Sequence, residues 1–365
     1  KRNVYGIPGR GADRVLKFNP FDKQSSTPIG PDLGDGYMYI GGTGDEKGCI
    51  YCTPYAWHDR GMLKIDTNTG TVTQLDARPP EEGEDCSWTK GALGLDGNIY
   101  YMPIRARRML KLNTDTDTFE SVGDDLGGGY KFIGAVRGMD GCIYGIPHMS
   151  NRIVKYDPVS QVTSYVGKEC DTLYFKCIRN GALARDGCIY ARTDEGRVVK
   201  INTNNDDDDN GSSSWAWVGN AVDTEQFPPS ERWGDAIAGI DGCVYWPPRN
   251  ANRTLQHDPH IDRTSLVGND VGDGYYEWWG GALASDGVIY CMPFDATQVL
   301  AIDPFREFTE TLASDMRLRP PEDFGRLFEL DEGGITKFDS KIAKFGPRGF
   351  QSMADLLPSL ANEVL

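Results

Sequence analysis

Short runs of alternating hydrophobic and polar residues recur along the chain, and each has the length of a β-strand. RIVKYDP (Arg152 to Pro158) and QVLAIDP (Gln298 to Pro304) are two examples. A period of two indicates a strand whose faces meet different surroundings. An Asp-Gly dipeptide precedes such runs, as at Asp140-Gly141. Because Asp-Gly tolerates positive φ, it favours a tight hairpin. The pattern therefore predicts antiparallel hairpins rather than long helices.

The strand after each Asp-Gly turn carries Ile-Tyr or Val-Tyr, and this dipeptide sets the period of a repeat. The tyrosines are 46, 49, 44, 46, 55 and 45 residues apart, at Tyr5, Tyr51, Tyr100, Tyr144, Tyr190, Tyr245 and Tyr290. A period of about 45 residues is typical of propeller blades and not of helical solenoids. We therefore predict an all-β, seven-bladed β-propeller of four-stranded antiparallel blades. In this interpretation the repeated segment builds blades and is not a catalytic motif.

The first copy begins at its second strand, so another part of the chain must complete the first blade. The segment FGRLFELDEGG (Phe324 to Gly334) resembles WGGALASDG, which begins at Trp279. We predict that Arg326 to Leu330 pairs with the strand of Tyr5, because this closure leaves no orphan edge. The alternative is a linker to another domain. The predicted propeller spans residues 1–333, and residues 334–365 form a C-terminal extension with a short helix.

Composition and charge limit the kinds of partner. The net charge is -16 and the pI is near 4.7. Part of this charge lies in the insertion NTNNDDDDNGSSSW after Ile201, which predicts a solvated loop. An acidic chain lacks the basic footprint that nucleic acid requires, so nucleic acid is not expected as the main partner. No run of the sequence approaches the ~20 apolar residues of a membrane span.

The nine cysteines bear on disulfides and on the compartment. One repeat position carries Cys49, Cys142, Cys188 and Cys243. Equivalent positions in different blades lie too far apart for a disulfide, so we predict small buried apolar residues there. A local bridge between Cys170 and Cys177 is an alternative for that pair. Cysteine usage favours an intracellular protein, whereas sequons at Asn210 and Asn252 favour secretion, so secretion is not excluded.

The order of small-residue strand, Asp-Gly-x-Ile-Tyr and x-Val-Leu-Lys-Ile-Asp-Pro resembles the repeats of streptogramin (virginiamycin B) lyase propellers. More loosely, it resembles the NHL and gluconolactonase/regucalcin groups. The resemblance covers Lys1 to about Ser314 and implies the seven-bladed fold. For the lyases it implies histidines, a glutamate and magnesium on the top face, and for the lactonases a divalent cation at the channel mouth. The lyase residues do not map onto the chain's four histidines, His58, His148, His257 and His260, and no set of repeat-breaking carboxylates matches the lactonase site. We predict no cofactor, with a divalent cation as the alternative.

One face of the propeller is expected to bind the partner. The loops from second to third strand and the connections between blades share that face, here called the loop face. Loops vary while blades hold them in place, so residues that break the repeat in these loops are the better candidates. The predicted ligand- or partner-binding residues are Trp57, His58, Arg105, Arg107, His148, Trp246, Tyr275, Tyr276 and Trp278.

The candidates in the loops between second and third strands each have a functional and a structural interpretation. Trp57 and His58 either stack on a planar or sugar ligand or cover a blade edge. Arg105 and Arg107 either anchor an acidic partner or belong to a solvated loop. His148 is either an acid, base or ligand, or a residue that packs within its loop.

The aromatic candidates have the same two interpretations. Trp246 replaces a small residue after the landmark tyrosine and would narrow the channel mouth. In the cluster YYEWW, Trp279 is aligned with Phe132 and Trp233 and is assigned to the core. The remaining members are less periodic and form either a contact surface or core, namely Tyr275, Tyr276 and Trp278.

Two further patterns suggest ion binding. An arginine recurs just before the third strand, at Arg14, Arg108, Arg152, Arg197 and Arg253. These residues form either an anion-binding ring or local pairs within each blade, and repetition favours local pairs. His257 and His260 are spaced as HxxH, but without a helix or a third ligand the motif is weak evidence for zinc. No metal site is predicted.

These observations lead to three functional hypotheses. The first is a non-enzymatic binding or scaffolding module that recognises a protein or glycan partner through the loop face. The second is a metal-assisted lyase or lactonase whose site, at the mouth of the central channel, needs convergent groups with perturbed pKa values. The third is a structural assembly subunit whose tail, Arg348 to Leu365, docks on a neighbour. We adopt the first, because the sequence offers few such convergent groups.

Overall fold

The computed structural model describes most of the first 305 residues and two short backbone segments beyond them. The described residues are 3–9, 12–22, 26–34, 39–54, 61–76, 79, 87–170, 180–193, 196–204, 215–220, 222, 232–272, 274, 276–296, 298–305, 330–331 and 334–335. Within these ranges the regular elements are β-strands, and no α-helix is present. The predicted all-β class is confirmed.

The strands form one antiparallel sheet for each repeat, and we number these sheets as blades 1 to 7. Blades 1 to 3 contain β1 (Val4–Gly6), β2 (Val15–Phe18), β3 (Ser26–Ile29), β4 (Tyr39–Gly44), β5 (Cys49–Pro54), β6 (Leu63–Asp66), β7 (Thr71–Gln74), β8 (Trp88–Leu93), β9 (Ile99–Pro103), β10 (Met109–Asn113) and β11 (Thr118–Val122). Blades 4 and 5 contain β12 (Phe132–Arg137), β13 (Ile143–Pro147), β14 (Ile153–Asp157), β15 (Val162–Val166), β16 (Ala182–Leu183), β17 (Cys188–Arg192), β18 (Val198–Asn202) and β19 (Trp215–Val218). Blades 6 and 7 contain β20 (Ile237–Ala238), β21 (Val244–Trp246), β22 (Thr254–Asp258), β23 (Arg263–Val267), β24 (Trp278–Leu283), β25 (Ile289–Pro293) and β26 (Leu300–Ile302).

Strands that are neighbours in a blade are also neighbours in the chain. Blades 2 to 6 have four strands, and blades 1 and 7 have three in the described part of the chain. The predicted seven-bladed propeller is confirmed. The predicted closing segment, Arg326 to Leu330, lies outside the described residues except for Leu330. That residue belongs to β27 (Leu330–Asp331), which pairs with β28 (Gly334–Ile335). Closure by pairing with the strand of Tyr5, and the C-terminal helix, stay predictions.

Buried apolar clusters hold each blade against the next, and one of them joins the last blade to the first. That cluster includes Val4 and Phe18 of blade 1 together with Ala282, Tyr290 and Met292 of blade 7. The rings of Phe18 and Tyr290 have centroids 5.1 Å apart. Six further clusters lie between the other pairs of successive blades. Removal of apolar surface from water between the blades therefore stabilises the ring.

The landmark tyrosines stabilise the Asp-Gly hairpins. Tyr144 Oη donates to Asp140 Oδ2 over 2.8 Å, and Lys155 Nζ lies 2.7 Å from the same oxygen. The same tyrosine–aspartate bond forms at Tyr100, Tyr190, Tyr245 and Tyr290. The prediction that the repeated segment builds blades is confirmed.

The repeat-position cysteines are mostly core residues. Cys142, Cys188 and Cys243 are buried, as predicted, and Cys49 is half-buried. Burial raises the pKa of the Cys142 thiol to about 12 and that of Cys188 to about 11. Cys177 lies outside the described residues, so the local bridge with Cys170 stays a prediction.

In blades 2, 3, 4 and 7 the first strand carries a bulge at its end near the loop face. In blade 3 the register against the second strand shifts between Trp88 and Gly91, and in blade 7 it shifts between Trp278 and Gly281. The two residues within each bulge leave the regular pairing. The bulge in blade 7 therefore takes Trp279 out of the regular pairing, at the end of β24 near the loop face.

Candidate functional site

One backbone contact recurs across the loop face. The clamp position is the residue just before the first strand or, in blade 6, just before the isolated bridge of Trp233 with Pro248. Its carbonyl accepts the amide of the residue after the second-strand proline, here called the post-proline position. With the amide donor named first and the carbonyl acceptor second, the pairs are Ile104 and Ser87 (3.1 Å), His148 and Lys131 (2.8 Å), Arg249 and Arg232 (2.9 Å), and Phe294 and Glu277 (2.7 Å). The backbone contact repeats while the side chains differ, so these positions vary the chemistry of the face.

Lys131, the buried clamp residue of blade 4, holds together the loop of blade 3 that contains Arg105 and Ala106 and the connection to blade 4 that contains Gly129. Lys131 Nζ donates to Ala106 O over 2.8 Å and to Gly129 O over 3.0 Å, and it lies 3.4 Å from Arg105 O. Lys131 is only 8% exposed. Burial of an ammonium is costly unless it is hydrogen-bonded, and here carbonyls take the place of water.

Arg105, Tyr130 and Met149 are neighbours of this anchored lysine, and the Met149 amide donates to Lys131 O over 3.3 Å. The Arg105 guanidinium carbon lies 4.2 Å from the centre of the Tyr130 ring, and Nη2 donates to Tyr130 Oη. Tyr130 is 44% exposed and Met149 is 45% exposed. Aromatic residues, methionine and arginine are enriched in protein interfaces. We call Arg105, Tyr130, Lys131, His148 and Met149 the blade 3–4 patch.

The structure brings two of the predicted residues into this patch and places a third beside it. Arg105 stacks on Tyr130, and half-buried His148 is bound through its amide to Lys131 O. Arg107 pairs instead with Asp125 at 2.7 Å, and its side chain is 61% exposed. A hydrogen bond from the Gly127 amide, and then one from Arg107, lower the pKa of Asp125. Arg107 therefore matches the solvated-loop interpretation better than Arg105 does.

A second arrangement, the loop-face stack, consists of Tyr276, Arg249, Trp279 and Phe294 at the junction of blades 6 and 7. The Arg249 guanidinium carbon lies 4.1 Å from the centre of the Tyr276 ring and 4.2 Å from that of Trp279. The centroids of Trp279 and Phe294 are 5.2 Å apart. A β-carbon added to Gly9 of blade 1 would lie 2.6 Å from Phe294 Cε2. The stack therefore runs from blade 6 to blade 1.

Tyr276 holds its place in the stack through a strained backbone. Its φ is +55°, in the left-handed region that bulky residues rarely adopt. The Tyr276 amide donates to Asn250 Oδ1 over 2.8 Å, and its carbonyl accepts the Asp295 amide at 3.0 Å. Such conformations persist where the surroundings determine them, and they cluster at ligand sites.

Glu277, which follows Tyr276 in the chain, carries a carboxyl group that lies next to Gly274. Its amide donates to Arg249 O over 3.0 Å. Burial raises the pKa of the Glu277 carboxyl above its ordinary value. Among the described residues, Glu277 Oε2 has no hydrogen-bond partner. A carboxyl in this setting is suited to exchange a proton or to accept a hydrogen bond from a ligand.

Two more buried arginines lie near Arg249 in blades 5 and 6. Arg249 is 3% exposed, Arg232 is 7% exposed and Arg192 is 0% exposed. The amides of Arg249, Asn250 and Ala251 all donate to Arg232 O. Arg192 Nη1 donates to Thr193 O over 3.0 Å, and Arg192 Nη2 donates to Trp233 O. Blades 5 and 6 therefore hold three buried arginines in an acidic protein.

The structure reverses the sequence-based assignment of the tryptophan pair in YYEWW. Trp278 pairs with Pro293 as Trp88 pairs with Pro103, and Trp278 Nε1 donates to Gln298 O over 2.9 Å. Trp278 is 6% exposed. It is therefore the core residue of the pair, and Trp279, assigned to the core, is the half-buried one in the stack.

Trp246 does not narrow the channel mouth as expected. It is 0% exposed and packs in the core between blades 5 and 6 with Trp233, Ala182, Ala184 and Ala251. The three alanines leave room for the indole, and this is the physical reason for its burial. Its Nε1 has no hydrogen-bond partner among the described residues. Of the remaining predicted site residues, Trp57, His58 and Tyr275 lie outside the described residues.

The recurring arginines before the third strand bind locally, as predicted. Arg152 pairs with Glu169 at 2.6 Å, and Arg253 Nε donates to Gly268 O over 3.0 Å. Arg108 donates to Gly123 O, and Arg197 lies 4.2 Å from the centre of the Trp217 ring. Each of these contacts stays within one blade, so these four arginines do not form an anion-binding ring.

The histidine pair of blade 6 does not converge. His257 is 1% exposed, and its Nδ1 lies 3.0 Å from Thr264 Oγ1, whereas His260 is exposed. Burial lowers the pKa of His257. Within the described ranges, no three His, Cys, Asp or Glu side chains are grouped so that they could hold a metal ion.

Sequence reasoning missed Tyr130, Lys131, Arg249 and Phe294, and it assigned Trp279 to the core. A signal for two of them was present in the sequence. Arg249 and Phe294 directly follow the second-strand proline, where His148 stands in blade 4. A comparison of that single position across the copies would have identified them as residues that break the repeat.

In the described part of the chain, no helix is long and apolar enough to span a membrane. No protein-family model matches the sequence, and no curated protein does.

Solved structures do share the fold. A streptogramin B lyase is similar with a TM-score of 0.59 and 14% identity, covering 80% of this chain and 87% of the lyase chain. A catalytically inactive virginiamycin B lyase from Staphylococcus aureus with quinupristin has a TM-score of 0.60 and 14% identity, covering 80% and 91%. The extracellular domain assigned to a hybrid two-component system of B. thetaiotaomicron has a TM-score of 0.53 and 11% identity, covering 83% and 40%. These likenesses confirm the fold-level resemblance to the lyase propellers.

Proposed function

We propose that the protein is a non-enzymatic binding or scaffolding module that holds a protein or glycan partner on its loop face. The blade 3–4 patch carries this proposal, since Arg105 stacks on exposed Tyr130 above a lysine that bonds the carbonyls of both loops. Loops that are already held lose little conformational freedom on binding. This pre-organisation reduces the entropic cost of association.

The charge of the patch favours an acidic partner. The chain as a whole carries a net charge of -16, so most of its surface repels anions. Arg105 and Lys131 reverse that sign locally, next to the exposed side chains of Tyr130 and Met149. Complementary charge steers encounter and suppresses wrong partners, while the apolar groups supply contact area.

A photo-crosslinking amino acid tests this proposal. It is introduced in place of Tyr130 and, as a matched control, in place of Tyr165 in β15 on the outer edge of blade 4. Tyr165 is 50% exposed and has the Arg152 guanidinium carbon 5.1 Å from its ring centre. The two sites thus share exposure and chemistry and differ in position. We expect discrete crosslinked partners at position 130 only, and a glycan array probes the glycan alternative.

The outcomes distinguish a specific partner on the loop face from nonspecific crosslinking to any exposed tyrosine position. A partner captured at position 130 and lost in Arg105→Ala supports the module. Equal capture at positions 130 and 165, or no capture together with an empty glycan array, contradicts it. Because Arg105→Ala leaves the Lys131 hydrogen bonds to backbone carbonyls in place, misfolding is not the expected cause of lost capture.

A second candidate function is metal-assisted catalysis at the channel mouth, as in the hypothesis of a lyase- or lactonase-type enzyme. The observation that favours it is Glu277, a carboxyl with a raised pKa that directly follows Tyr276 of the loop-face stack, in a fold shared with a streptogramin B lyase. Carboxyl groups with raised pKa values serve as general acids or bases. Metal content and thermal unfolding with and without a chelator decide this case. Stoichiometric metal whose removal lowers the Tm favours the enzyme, and no such metal favours the binding module.

A further inference from the structure

One position of the first strands forms a ring around the central channel. The first strands of blades 2 to 7 contact one another in succession and so form the channel wall. In each of these blades the residue that pairs with the landmark tyrosine is preceded, two positions earlier, by the residue that we call the channel position. From blade 2 to blade 7 the channel position holds Gly41, Lys90, Gly134, Asn180, Asp235 and Gly280. Three glycines and three polar residues therefore share this ring.

Two of the glycines leave room beside the two charged residues. The atoms nearest to a β-carbon added at Gly41 would be Cβ, Cδ and Cγ of Lys90, at 3.5–3.6 Å. The atoms nearest to a β-carbon added at Gly280 would belong to Asp235, with Cβ at 3.5 Å and Oδ2 at 3.8 Å. These are ordinary van der Waals separations, so each charged side chain lies along a part of the wall that no other group crowds.

Lys90 and Asp235 are half-buried and carry charges that nothing compensates. In the part of the chain that the structure describes, neither side chain forms a hydrogen bond or an ion pair. Half-buried Lys64, by contrast, lies 2.7 Å from the carboxylate of Asp117. A charge that is partly removed from water without a partner costs free energy. Proteins keep such unfavourable groups mainly at functional sites.

The two charges stand on opposite sides of the channel, at its loop-face end. Lys90 belongs to blade 3 and Asp235 to blade 6, and three blades is the largest separation in a ring of seven. Lys90 lies in the bulge between Trp88 and Gly91, and the Asp235 amide donates to the carbonyl of Trp279 in the loop-face stack over 2.7 Å. A ligand that enters from the loop face can therefore contact both charges at once.

We propose that the loop-face end of the channel binds a small zwitterion, a molecule with one carboxylate and one ammonium group, between Lys90 and Asp235. The ligand carboxylate accepts hydrogen bonds from the Lys90 ammonium, and the ligand ammonium donates to the Asp235 carboxylate. Charge-assisted hydrogen bonds of this kind are stronger than neutral ones. An anion or a cation alone would leave one of the two charges uncompensated. This inference goes beyond the proposed function, because it requires no partner at the blade 3–4 patch.

Amino acids with the ammonium group at the far end of the chain are the probes, because their length sets the distance between the two charges. Isothermal titration calorimetry with 4-aminobutanoate, 6-aminohexanoate and 8-aminooctanoate compares three lengths. Hexanoate and hexylammonium are the matched controls, with one charge each. We expect at least one amino acid to bind about tenfold or more tightly than either control, as for one added hydrogen bond between charged groups.

Two single variants assign each ligand group to its residue. Lys90→Met should weaken binding of the amino acid and of hexanoate, and it should not weaken binding of hexylammonium. Asp235→Asn should weaken binding of the amino acid and of hexylammonium, and it should not weaken binding of hexanoate. Affinity for the amino acid should fall about tenfold in each variant. Lys111→Met is the control, since it removes an ammonium from the third strand of blade 3 and should leave all affinities unchanged.

This crossed pattern of losses supports the zwitterion site. The proposal is overturned if no amino acid binds, if the amino acids bind no more tightly than the singly charged controls, or if both single variants bind like the parent. If a single variant has a lowered Tm, the double variant Lys90→Asp with Asp235→Lys decides. A zwitterion can bind to the exchanged charges in the reverse orientation, so recovered affinity supports the site and absent recovery overturns it.

Discussion

Replacement of Lys131 by methionine tests whether the buried lysine holds the blade 3–4 patch together. Methionine has a similar length and can fill the space of the lysine stem, so the change removes the ammonium group with little loss of volume. In the parent, Nζ lies 2.8 Å from Ala106 O, 3.0 Å from Gly129 O and 3.4 Å from Arg105 O, and methionine donates to none of these carbonyls. The perturbation is therefore mainly a removal of hydrogen bonds.

The expected cost follows from which carbonyls lose their donor. Ala106 is 1% exposed, so its carbonyl is left without water, at a cost of about 1–3 kcal/mol. Gly129 is exposed, and water replaces the lysine there. The variant no longer has to desolvate an ammonium, which offsets part of the loss. We expect the free energy of unfolding to fall by about 2 kcal/mol.

Urea denaturation of the parent, Lys131→Met and Lys111→Met measures this effect. Lys111 is the control, because its ammonium lies 3.4 Å from the carboxylate of Glu120, which is 67% exposed. Such surface pairs contribute about 0–1 kcal/mol. Hydrogen exchange should also become faster at the amides of Arg105 and Met149 in Lys131→Met alone. If Lys131→Met loses no more stability than Lys111→Met, and exchange is unchanged, the lysine does not hold the patch.

Three further predictions concern the blades. Asp140→Ala should lower the free energy of unfolding by about 3 kcal/mol, because Tyr144 Oη and Lys155 Nζ lose a carboxylate that is 3% exposed; urea denaturation measures this. Burial lowers the pKa of His257 below its ordinary 6.5, so the unfolded chain takes up the proton first and stability should fall as the pH drops below about 6.5. Unfolding midpoints between pH 7 and pH 5 should show a smaller fall in His257→Asn, and a fall equal to the parent's would contradict this. Burial raises the pKa of the Cys291 thiol, so a thiol reagent with mass mapping should label Cys291 only after unfolding. Rapid labelling in the native state would show that blade 7 opens.

The sequence allowed the blades to be predicted because the same local chemistry occurs in every copy. Asp140 and Tyr144 are four residues apart and bond within one hairpin, so the contact is visible in the sequence. The small-residue first strand and the alternating third strand also depend on near neighbours. Local contacts that repeat can be inferred from a single chain.

The site was harder to predict because it depends on register and on contacts between blades. A bulge between Trp278 and Gly281 decides which tryptophan of the pair is buried, and the sequence does not show the bulge. Trp246 is buried because alanines of blades 5 and 6 leave space, which depends on a neighbouring blade. The Arg249 stack combines residues 27 and 30 positions apart with a glycine from blade 1.

The clamp contact explains how one repeat supports a face with varied chemistry. Ser87, Lys131, Arg232 and Glu277 all use the backbone carbonyl to hold the following loop. Every residue type supplies that carbonyl, so the fold leaves the side chain free to differ. The same holds for the amide at the post-proline position, which any residue except proline provides. The side chains at these two positions are therefore free to set the chemistry of the loop face, while the hairpins and the packing between blades determine that it forms.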